Sequence, residues 1–261
     1  MVSRFFAILF LLMSSLFPLF GIKSSEPFIS SDKDKKDWSI GGSDATNIKN
    51  QDIKIVKIKD SQGFVPPLIK GESIIFLDIK GYLRFANLRS LEETLVVPLY
   101  HPGFMSAGLA FSGNIVYCSI DNLLYAINSE NGKLLWSKEL RTRVAGEPTV
   151  FNGKVSVLTI DNYLYVFDSK NGNLLWSYQG VLIEQKSLNS ASPSFSKDKN
   201  ILLAPFSNGE LLAFSESDGR KLWVQKFTGD FLKNPLNDIN ISPRIASGHA
   251  IVSSKSNKVC F

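Results

Sequence analysis

The residue types that most often carry chemistry are few and scattered in this chain. A metal centre or an acid–base catalyst would need clustered histidine, cysteine or carboxylate side chains. The two histidines, His101 and His249, lie in different parts of the chain, and neither shows metal-like spacing to a cysteine or an acid cluster. The G-x-S-x-G motif and glycine-rich phosphate loops are absent. We therefore predict no catalytic residues, no metal site and no cofactor, and a protein that is not an enzyme.

The carboxylates and thiols have structural interpretations instead. The pairs Asp121-Asn122 and Asp161-Asn162 each separate two apolar runs, where short polar side chains serve the backbone geometry of a tight turn. Cys118 lies inside the strand-like run NIVYCSI, which favours a buried thiol. A bridge to Cys260, the second-last residue, stays open as the alternative.

An octet ending in tryptophan occurs three times and indicates internal repetition. The copies are SENGKLLW (Ser129–Trp136), SKNGNLLW (Ser169–Trp176) and ESDGRKLW (Glu216–Trp223). The first two tryptophans are 40 residues apart and the third follows 47 residues later, with the extra residues before the strands of that copy. A period in the forties is typical of stacked or radial repeats.

Each copy reads as four short strands joined by tight turns. In the copy around Phe151, apolar runs at 154–160, 163–168 and 173–178 follow a short first strand. A single sheet of this size cannot bury both faces, whereas radial stacking lets each sheet cover the next. We therefore predict an all-β fold, a β-propeller of four-stranded antiparallel blades.

The repeated tryptophans then have a structural role. We predict inter-blade packing for Trp136, Trp176 and Trp223, a large aromatic on the outer part of one blade lying against its neighbour. The preceding glycine of each octet permits the turn and leaves room for the close approach. These glycines are Gly132, Gly172 and Gly219.

The period also divides the chain into segments. Residues 1–24 form a signal peptide or N-terminal anchor, residues 25–51 a polar linker, and residues 52–261 a partial propeller. The repeats are placed near 60–105, 106–146, 147–190, 191–241 and 242–261, the last one partial.

The N-terminal segment indicates the cellular compartment, and the net charge indicates which class of partner is excluded. Arg4 precedes an apolar run from Phe5 to Phe20, which is typical of an export signal, and an uncleaved anchor is the alternative. Pro18 interrupts the run. The net charge of +5 is spread without a dense basic cluster, so we predict no nucleic-acid partner.

The repeat resembles that of a known family. The stretch LLYAINSENGKLLW, residues 123–136, is similar to the consensus G-x-x-x-x-L-Y-A-h-D-x-x-x-G-x-x-x-W of pyrroloquinoline-quinone-type (PQQ-like) propellers. Both quinoprotein dehydrogenases and cofactor-free BamB-type subunits of the outer-membrane β-barrel assembly machinery use it. Two further stretches, KSLNSASPSF (186–195) and PLNDINISPRI (235–245), resemble loops of the BamB type.

The resemblance implies a function and a set of contact residues. In BamB-type proteins the two loops contact the barrel-assembly (BamA-type) outer-membrane subunit, which implies partner binding by Leu188, Asn189, Asp238 and Asn240. It implies a non-enzymatic scaffold that aids outer-membrane protein folding and insertion. The protein would be exported to the periplasmic face of the outer membrane and associated with it through the partner. Unfolded outer-membrane proteins stay open as further partners.

Three features depart from the family pattern. No lipidation cysteine follows the apolar run, Asn240 stands where the motif has a second acid, and the repeats supply about four to five blades of an expected eight. The sequence therefore leads us to expect a truncated member. A truncated quinoprotein dehydrogenase and a non-functional propeller fragment are the alternatives.

Overall fold

The computed structural model describes residues 65–99, 103–181, 191–196, 199–227, 239, 241–246, 249–253 and 259–260. All of them belong to one compact unit, Lys57–Phe261. The predicted signal and linker, 1–51, lie outside the described residues.

The described chain forms five antiparallel sheets, each built from consecutive strands. The first sheet contains β1 (Leu68–Lys70), β2 (Ser73–Leu77), β3 (Tyr82–Asn87) and β4 (Glu93–Pro98). The second contains β5 (Ala107–Ser112), β6 (Ile115–Ile120), β7 (Leu123–Asn128) and β8 (Leu134–Glu139). The third contains β9 (Thr149–Phe151), β10 (Lys154–Leu158), β11 (Tyr163–Asp168) and β12 (Leu174–Gln179).

The fourth and fifth sheets continue this order. The fourth contains β13 (Ser194–Ser196), β14 (Ile201–Pro205), β15 (Glu210–Ser215) and β16 (Lys221–Lys226). In the fifth, β17 (Arg244–Ala246), β18 (His249–Ser253) and β19 (Val259–Cys260) are described. The predicted all-β fold of four-stranded antiparallel sheets is confirmed, and we call each sheet a blade, numbered in chain order.

The predicted strands of the third blade need one adjustment. β10 ends at Leu158 rather than at residue 160, because the chain turns over four residues there: the amide of Thr159 donates to the carbonyl of Tyr163 at 2.9 Å. Asn162 takes the positive φ of this turn at 61°, whereas in the same Asp-Asn pair of blade 2 Asp121 has the positive φ, at 48°. The same dipeptide therefore forms two different turns.

Alternate side chains of the middle strands enter two different cores. In blade 2, Cys118 and Ile127 pack towards blade 1, whereas Tyr117, Leu124 and Ala126 pack towards blade 3. Successive side chains of a strand point to opposite faces, so a blade between two others buries both faces. This explains why these strands are almost continuously apolar. The thiol of Cys118 is free and fully buried, and burial raises its pKa.

The first strands of the five blades lie side by side in chain order. A repeated hydrogen bond joins three of them: Thr149 Oγ1 donates to the carbonyl of Pro193 at 2.7 Å, and Ser194 Oγ donates to that of Pro243 at 2.7 Å. Each hydroxyl follows a proline of its own blade. The repeat therefore aligns the donor on one first strand with the proline carbonyl that precedes the first strand of the next blade.

Trp136 and Trp176 each bridge two blades by the same geometry. Trp136 Nε1 donates to the carbonyl of Ser169 at 3.1 Å, and Trp176 Nε1 donates to that of Glu216 at 3.1 Å. Both side chains are only 9 % exposed. A β-bulge one residue before each tryptophan breaks the pairing of the outer strand at that point, and bulges re-aim the side chains beside them.

The glycine that meets each tryptophan belongs to the next blade. A Cβ on Gly172 would lie 2.7 Å from the Trp136 ring, and a Cβ on Gly219 would lie 2.5 Å from the Trp176 ring. Both glycines have φ near +70°. The glycine of an octet thus makes room for the tryptophan of the preceding copy. Gly132 plays this part for blade 1, where Leu95 and Val97 replace the aromatic.

Trp223 differs from the other two. Its side chain is 42 % exposed, and the rest of its strand, β16, is exposed as well. The described strands of blade 5, β17 to β19, do not include a turn of the type that covers Trp136 and Trp176. Inter-blade packing of Trp223 therefore does not occur within the described part of the chain.

A buried ion pair adds a polar link between blades 3 and 4. Lys154 Nζ lies 2.7 Å from Glu216 Oε1, which also accepts a hydrogen bond from Asn152 Nδ2 at 3.1 Å. The Glu216 side chain is almost completely buried. The octet residue that is serine in blades 2 and 3 is Glu216 here, so this link is specific to one interface.

We expect Lys154→Met to lower the free energy of unfolding by about 2 kcal/mol, since it leaves a buried carboxylate without its cation. In the double variant Lys154→Met/Glu216→Gln we expect more than half of that loss to be recovered. Urea denaturation of the four species of the cycle measures this. Additive losses in the double variant would show that the two side chains act independently.

Candidate partner-docking rim

The blade-to-blade connections lie at one end of the sheets, beside the turns between second and third strands. Main-chain hydrogen bonds fix this arrangement: the amides of Leu140, Gly180 and Phe227 donate to the carbonyls of Asn122, Asn162 and Gly209 at 2.7–2.8 Å. We call this end the connection rim. It comprises the described residues of the connections, which are 99, 103–106, 140–148, 180–181, 191–193, 227, 239 and 241–243, and the turns they bond. The turns that carry the octet glycines lie at the opposite end.

Three of the connections expose a large apolar side chain. Met105 is 76 % exposed, Val181 is 62 % exposed and Ile241 is 51 % exposed. Each lies in a different connection of the same rim. Exposed apolar side chains that form a contiguous patch mark sites of protein or ligand contact, whereas single ones are common on any protein surface. Sequence reasoning did not select these three residues, although each is an apolar residue in a connecting segment.

Met105 is held in place by its neighbours despite its exposure. Its amide donates to Asp121 Oδ1 at 2.9 Å, and Arg143 Nη1 lies 3.3 Å from its sulfur. Asp121 also accepts from the amide of Ser106 at 3.2 Å. With these two hydrogen bonds, Asp121 holds the connection that leads from blade 1 into blade 2.

Asp161 organises the connection between blades 2 and 3. Its Oδ1 accepts hydrogen bonds from Thr142 Oγ1 at 2.7 Å and from Thr159 Oγ1 at 2.5 Å, and Arg141 Nε lies 3.6 Å from Oδ2. Burial alone would raise the pKa of Asp161. The two hydroxyls and Arg141 outweigh it and hold this pKa below its usual value. Arg141 also lies over the ring of Tyr163, 5.9 Å from its centroid.

The substitution Thr142→Val tests whether ionised Asp161 stabilises the fold, because its effect on stability should then depend on pH. The lowered pKa means that ionised Asp161 stabilises the fold above the unfolded-state pKa of about 3.9, and that this contribution is lost as pH falls through the folded-state value. We expect Thr142→Val to cost about 1 kcal/mol at pH 7 and a smaller amount at pH 3. Urea midpoints at both pH values measure it, with Thr142→Ser as the control that keeps the hydroxyl. A loss independent of pH would contradict the assignment.

The four contact residues implied by the sequence lie outside the described residues. They are Leu188, Asn189, Asp238 and Asn240. The residues beside them are described: Val181 is exposed and Ala191 is buried at the two ends of the first segment. Ile239, between Asp238 and Asn240, is buried in the core between blades 4 and 5, and Ile241 is exposed.

Glu147 is a half-buried carboxyl in the connection between blades 2 and 3. Burial raises the pKa of Glu147, and the positive charge of Arg244 opposes that rise. No group of three or more His, Cys, Asp and Glu side chains able to hold a metal ion occurs among the described residues. In that part of the chain there is also no helix long and apolar enough to span a bilayer.

The match to a protein-family model identifies the repeat. Residues 62–261 match the model of outer membrane protein assembly factor BamB. The chain belongs to the BamB family. The match covers all five described sheets and both stretches, 186–195 and 235–245, that resemble loops of this family.

Solved structures share the fold at low sequence identity. BamB from Moraxella catarrhalis superposes with a TM-score of 0.67 at 15 % identity, over 79 % of this chain and 65 % of that one. The designed Ika8 protein gives 0.61 at 17 % identity, over 74 % and 56 % of the two chains. Quinohemoprotein alcohol dehydrogenase from Comamonas testosteroni gives 0.57 at 14 % identity, over 75 % and 40 %. The incomplete β-propeller predicted from the repeats is therefore confirmed.

The BamB-family chain thus spans 65 % of the length of the BamB structure it resembles. A search of curated proteins found no match. Sequence identities this low establish the fold and not the partner or the reaction.

Proposed function

We propose that this BamB-family protein is a non-enzymatic scaffold of the β-barrel assembly machinery. It docks the barrel-assembly (BamA-type) subunit through the connection rim and so aids the folding and insertion of outer-membrane proteins. The family match over residues 62–261 is the observation that carries this proposal. The export-type N-terminus, Arg4 followed by Phe5–Phe20, supports a place at the periplasmic face of the outer membrane, with attachment through the partner.

The geometry of the rim supports docking at this end of the molecule. Met105, Val181 and Ile241 present apolar surface from three connections. The amide of Met105 donates to Asp121 Oδ1 at 2.9 Å, and the carbonyl of Val181 accepts from Asn162 Nδ2 at 2.7 Å. Val181 directly precedes the segment that contains Leu188 and Asn189, and Ile241 directly follows Asn240. The proposed contact therefore combines these apolar residues with the two stretches that resemble the family's loops.

Charge reversal at Asp238 tests the docking. We expect Asp238→Lys to reduce recovery of the barrel-assembly subunit about tenfold in a pull-down from solubilised envelopes, which corresponds to about 1.4 kcal/mol of binding free energy. Reversing a charge at a complementary interface places like charges together.

The matched control is Asp218→Lys. Asp218 is an exposed acid in an octet turn, at the end of the sheets opposite the connection rim. This control should leave recovery unchanged. Equal recovery with both variants would show that Asp238 does not lie in the docking surface.

A quinoprotein dehydrogenase is the second candidate, favoured by one observation. The solved structures that share the fold include quinohemoprotein alcohol dehydrogenases and a europium-containing methanol dehydrogenase, the latter at a TM-score of 0.54. Titration with pyrroloquinoline quinone and calcium, followed by absorbance, separates the two candidates. Saturable binding of the quinone would favour the dehydrogenase, and its absence is expected for the scaffold.

A further inference from the structure

The connection between blades 3 and 4 begins differently from the other connections. In blades 1, 2 and 4 the residue whose amide bonds the neighbouring turn is large and apolar and packs into a core; these residues are Leu99, Leu140 and Phe227. In blade 3 the same position is Gly180, which has no side chain to insert. Phe206 of blade 4 fills that space, since a Cβ on Gly180 would lie 2.6 Å from the Phe206 ring. Gly180 therefore cannot supply the apolar anchor that the other three residues supply.

A buried asparagine side chain holds the start of this connection instead. Asn162 Nδ2 donates to the carbonyl of Val181 at 2.7 Å, and the main-chain carbonyl of Asn162 accepts from the amide of Gly180 at 2.7 Å. Asn162 Oδ1 accepts from the amide and the hydroxyl of Ser207, at 3.1 and 3.0 Å. Ser207 belongs to the turn between β14 and β15 of blade 4. One side chain thus ties the connection to both of the blades that it joins.

The equivalent residues of the other turns do not link blades in this way. They are Gly81, Asn122 and Gly209, whose carbonyls accept the same main-chain bond. The two glycines have no side chain, and Asn122 Nδ2 donates to Glu139 Oε1 of its own blade at 3.3 Å. Both glycines have a positive φ, as Asn162 does. The turn therefore forms without an asparagine, and the Asn162 side chain serves the link.

We propose that Asn162 is a positioning residue for partner docking: it holds Gly180 and Val181 so that the Val181 side chain faces the barrel-assembly subunit. This inference rests on the proposed function. Val181 is 62 % exposed although its carbonyl is hydrogen-bonded to a buried group. Holding a segment in its bound conformation beforehand raises affinity, because less ordering is left to occur on binding. Asn162 is itself only 2 % exposed, so its loss removes no atom from the docking surface.

The substitution Asn162→Gly tests the proposal, because it deletes the side chain at a position where Gly81 and Gly209 form the equivalent turns. We expect recovery of the barrel-assembly subunit in a pull-down from solubilised envelopes to fall about fivefold. Val181→Ser should cause a loss of similar size. The double variant should show no further loss, since Asn162 acts through Val181.

Two controls separate positioning from general loosening of the fold. Asn122→Gly removes the equivalent amide of blade 2, which bonds within its own blade, and should leave recovery unchanged. Lys154→Met breaks the link to Glu216 between the same two blades, at the end opposite the connection rim. It should lower the urea midpoint and leave recovery unchanged.

Hydrogen exchange of the protein without its partner tests the positioning separately. In Asn162→Gly the amide of Ser207 loses its acceptor, and the amide of Gly180 bonds a turn that no longer holds Val181. We expect both amides to exchange about tenfold faster, because local opening becomes easier. The amide of Leu140, which makes the equivalent bond in blade 2, should be unchanged.

The remaining outcomes decide against the proposal. Unchanged recovery with Asn162→Gly, or unchanged exchange at Gly180, would show that the asparagine does not position the connection. Equal losses of recovery with Asn162→Gly and Lys154→Met would assign the effect to a loosened blade interface. Losses that multiply in the double variant would show that Asn162 does not act through Val181. If the unmodified chain recovers no subunit, the proposed function fails and this inference fails with it.

Discussion

Trp176→Ala is expected to lower the free energy of unfolding by about 3–5 kcal/mol, the range for deleting a large buried aromatic. The indole fills the space between blades 3 and 4, where it packs against Phe214 with 5.7 Å between ring centroids. The substitution also leaves the carbonyl of Glu216 without its donor. Urea denaturation followed by circular dichroism measures the loss.

The matched control is Trp223→Ala, the same residue of the repeat one blade later. Because Trp223 is exposed and has no glycine turn against it in the described structure, we expect a loss of about 1 kcal/mol or less. Losses of equal size at the two positions would contradict the assignment of Trp176 as inter-blade packing.

The second large effect is expected at the glycine that receives this indole. Gly219→Ala should cost about 3 kcal/mol, because it combines a left-handed backbone with overpacking. Its Cβ would lie 2.5 Å from the Trp176 ring, and an indole held by packing and a hydrogen bond has little freedom to move away.

Gly113→Ala separates the two causes. Gly113 also has a positive φ, 56°, but a Cβ there meets nothing within 4 Å. We expect this control to cost about 1 kcal/mol, the backbone contribution alone. If the two alanine variants lose the same stability, Gly219 is needed for its backbone conformation and not for the close approach.

Periodicity predicted the architecture because strands, turns and blades all recur at fixed spacing. It predicted β11 at the observed residues, Tyr163–Asp168, since an apolar run there is bounded by turn residues on both sides. It did not predict which glycine meets which tryptophan, because that contact joins residues of different copies. Nor did it distinguish Trp223 from Trp176, since the octets are alike and the difference lies in what packs against them.

The rim was harder to predict for a related reason. Val144 and Val181 are the same residue type in two connections, yet Val144 is buried and Val181 is exposed. The amide of Val144 donates a hydrogen bond to the carbonyl of Asp121, and the Val144 side chain lies in the core between blades 2 and 3. Hydropathy alone assigns both residues to the core. The docking residues Leu188, Asn189, Asp238 and Asn240 rest on resemblance, and they stay a prediction.

The measurement that tests the proposed docking most directly is site-specific photo-crosslinking in envelopes. A photoreactive residue is placed at Leu188, at Ile241 on the connection rim, and at Leu175 on the outer edge of blade 3, which is exposed but lies off the rim. We predict cross-links to the barrel-assembly subunit from positions 188 and 241 and none from position 175. Cross-links from position 175 alone, or from none of the three, would contradict docking through the rim.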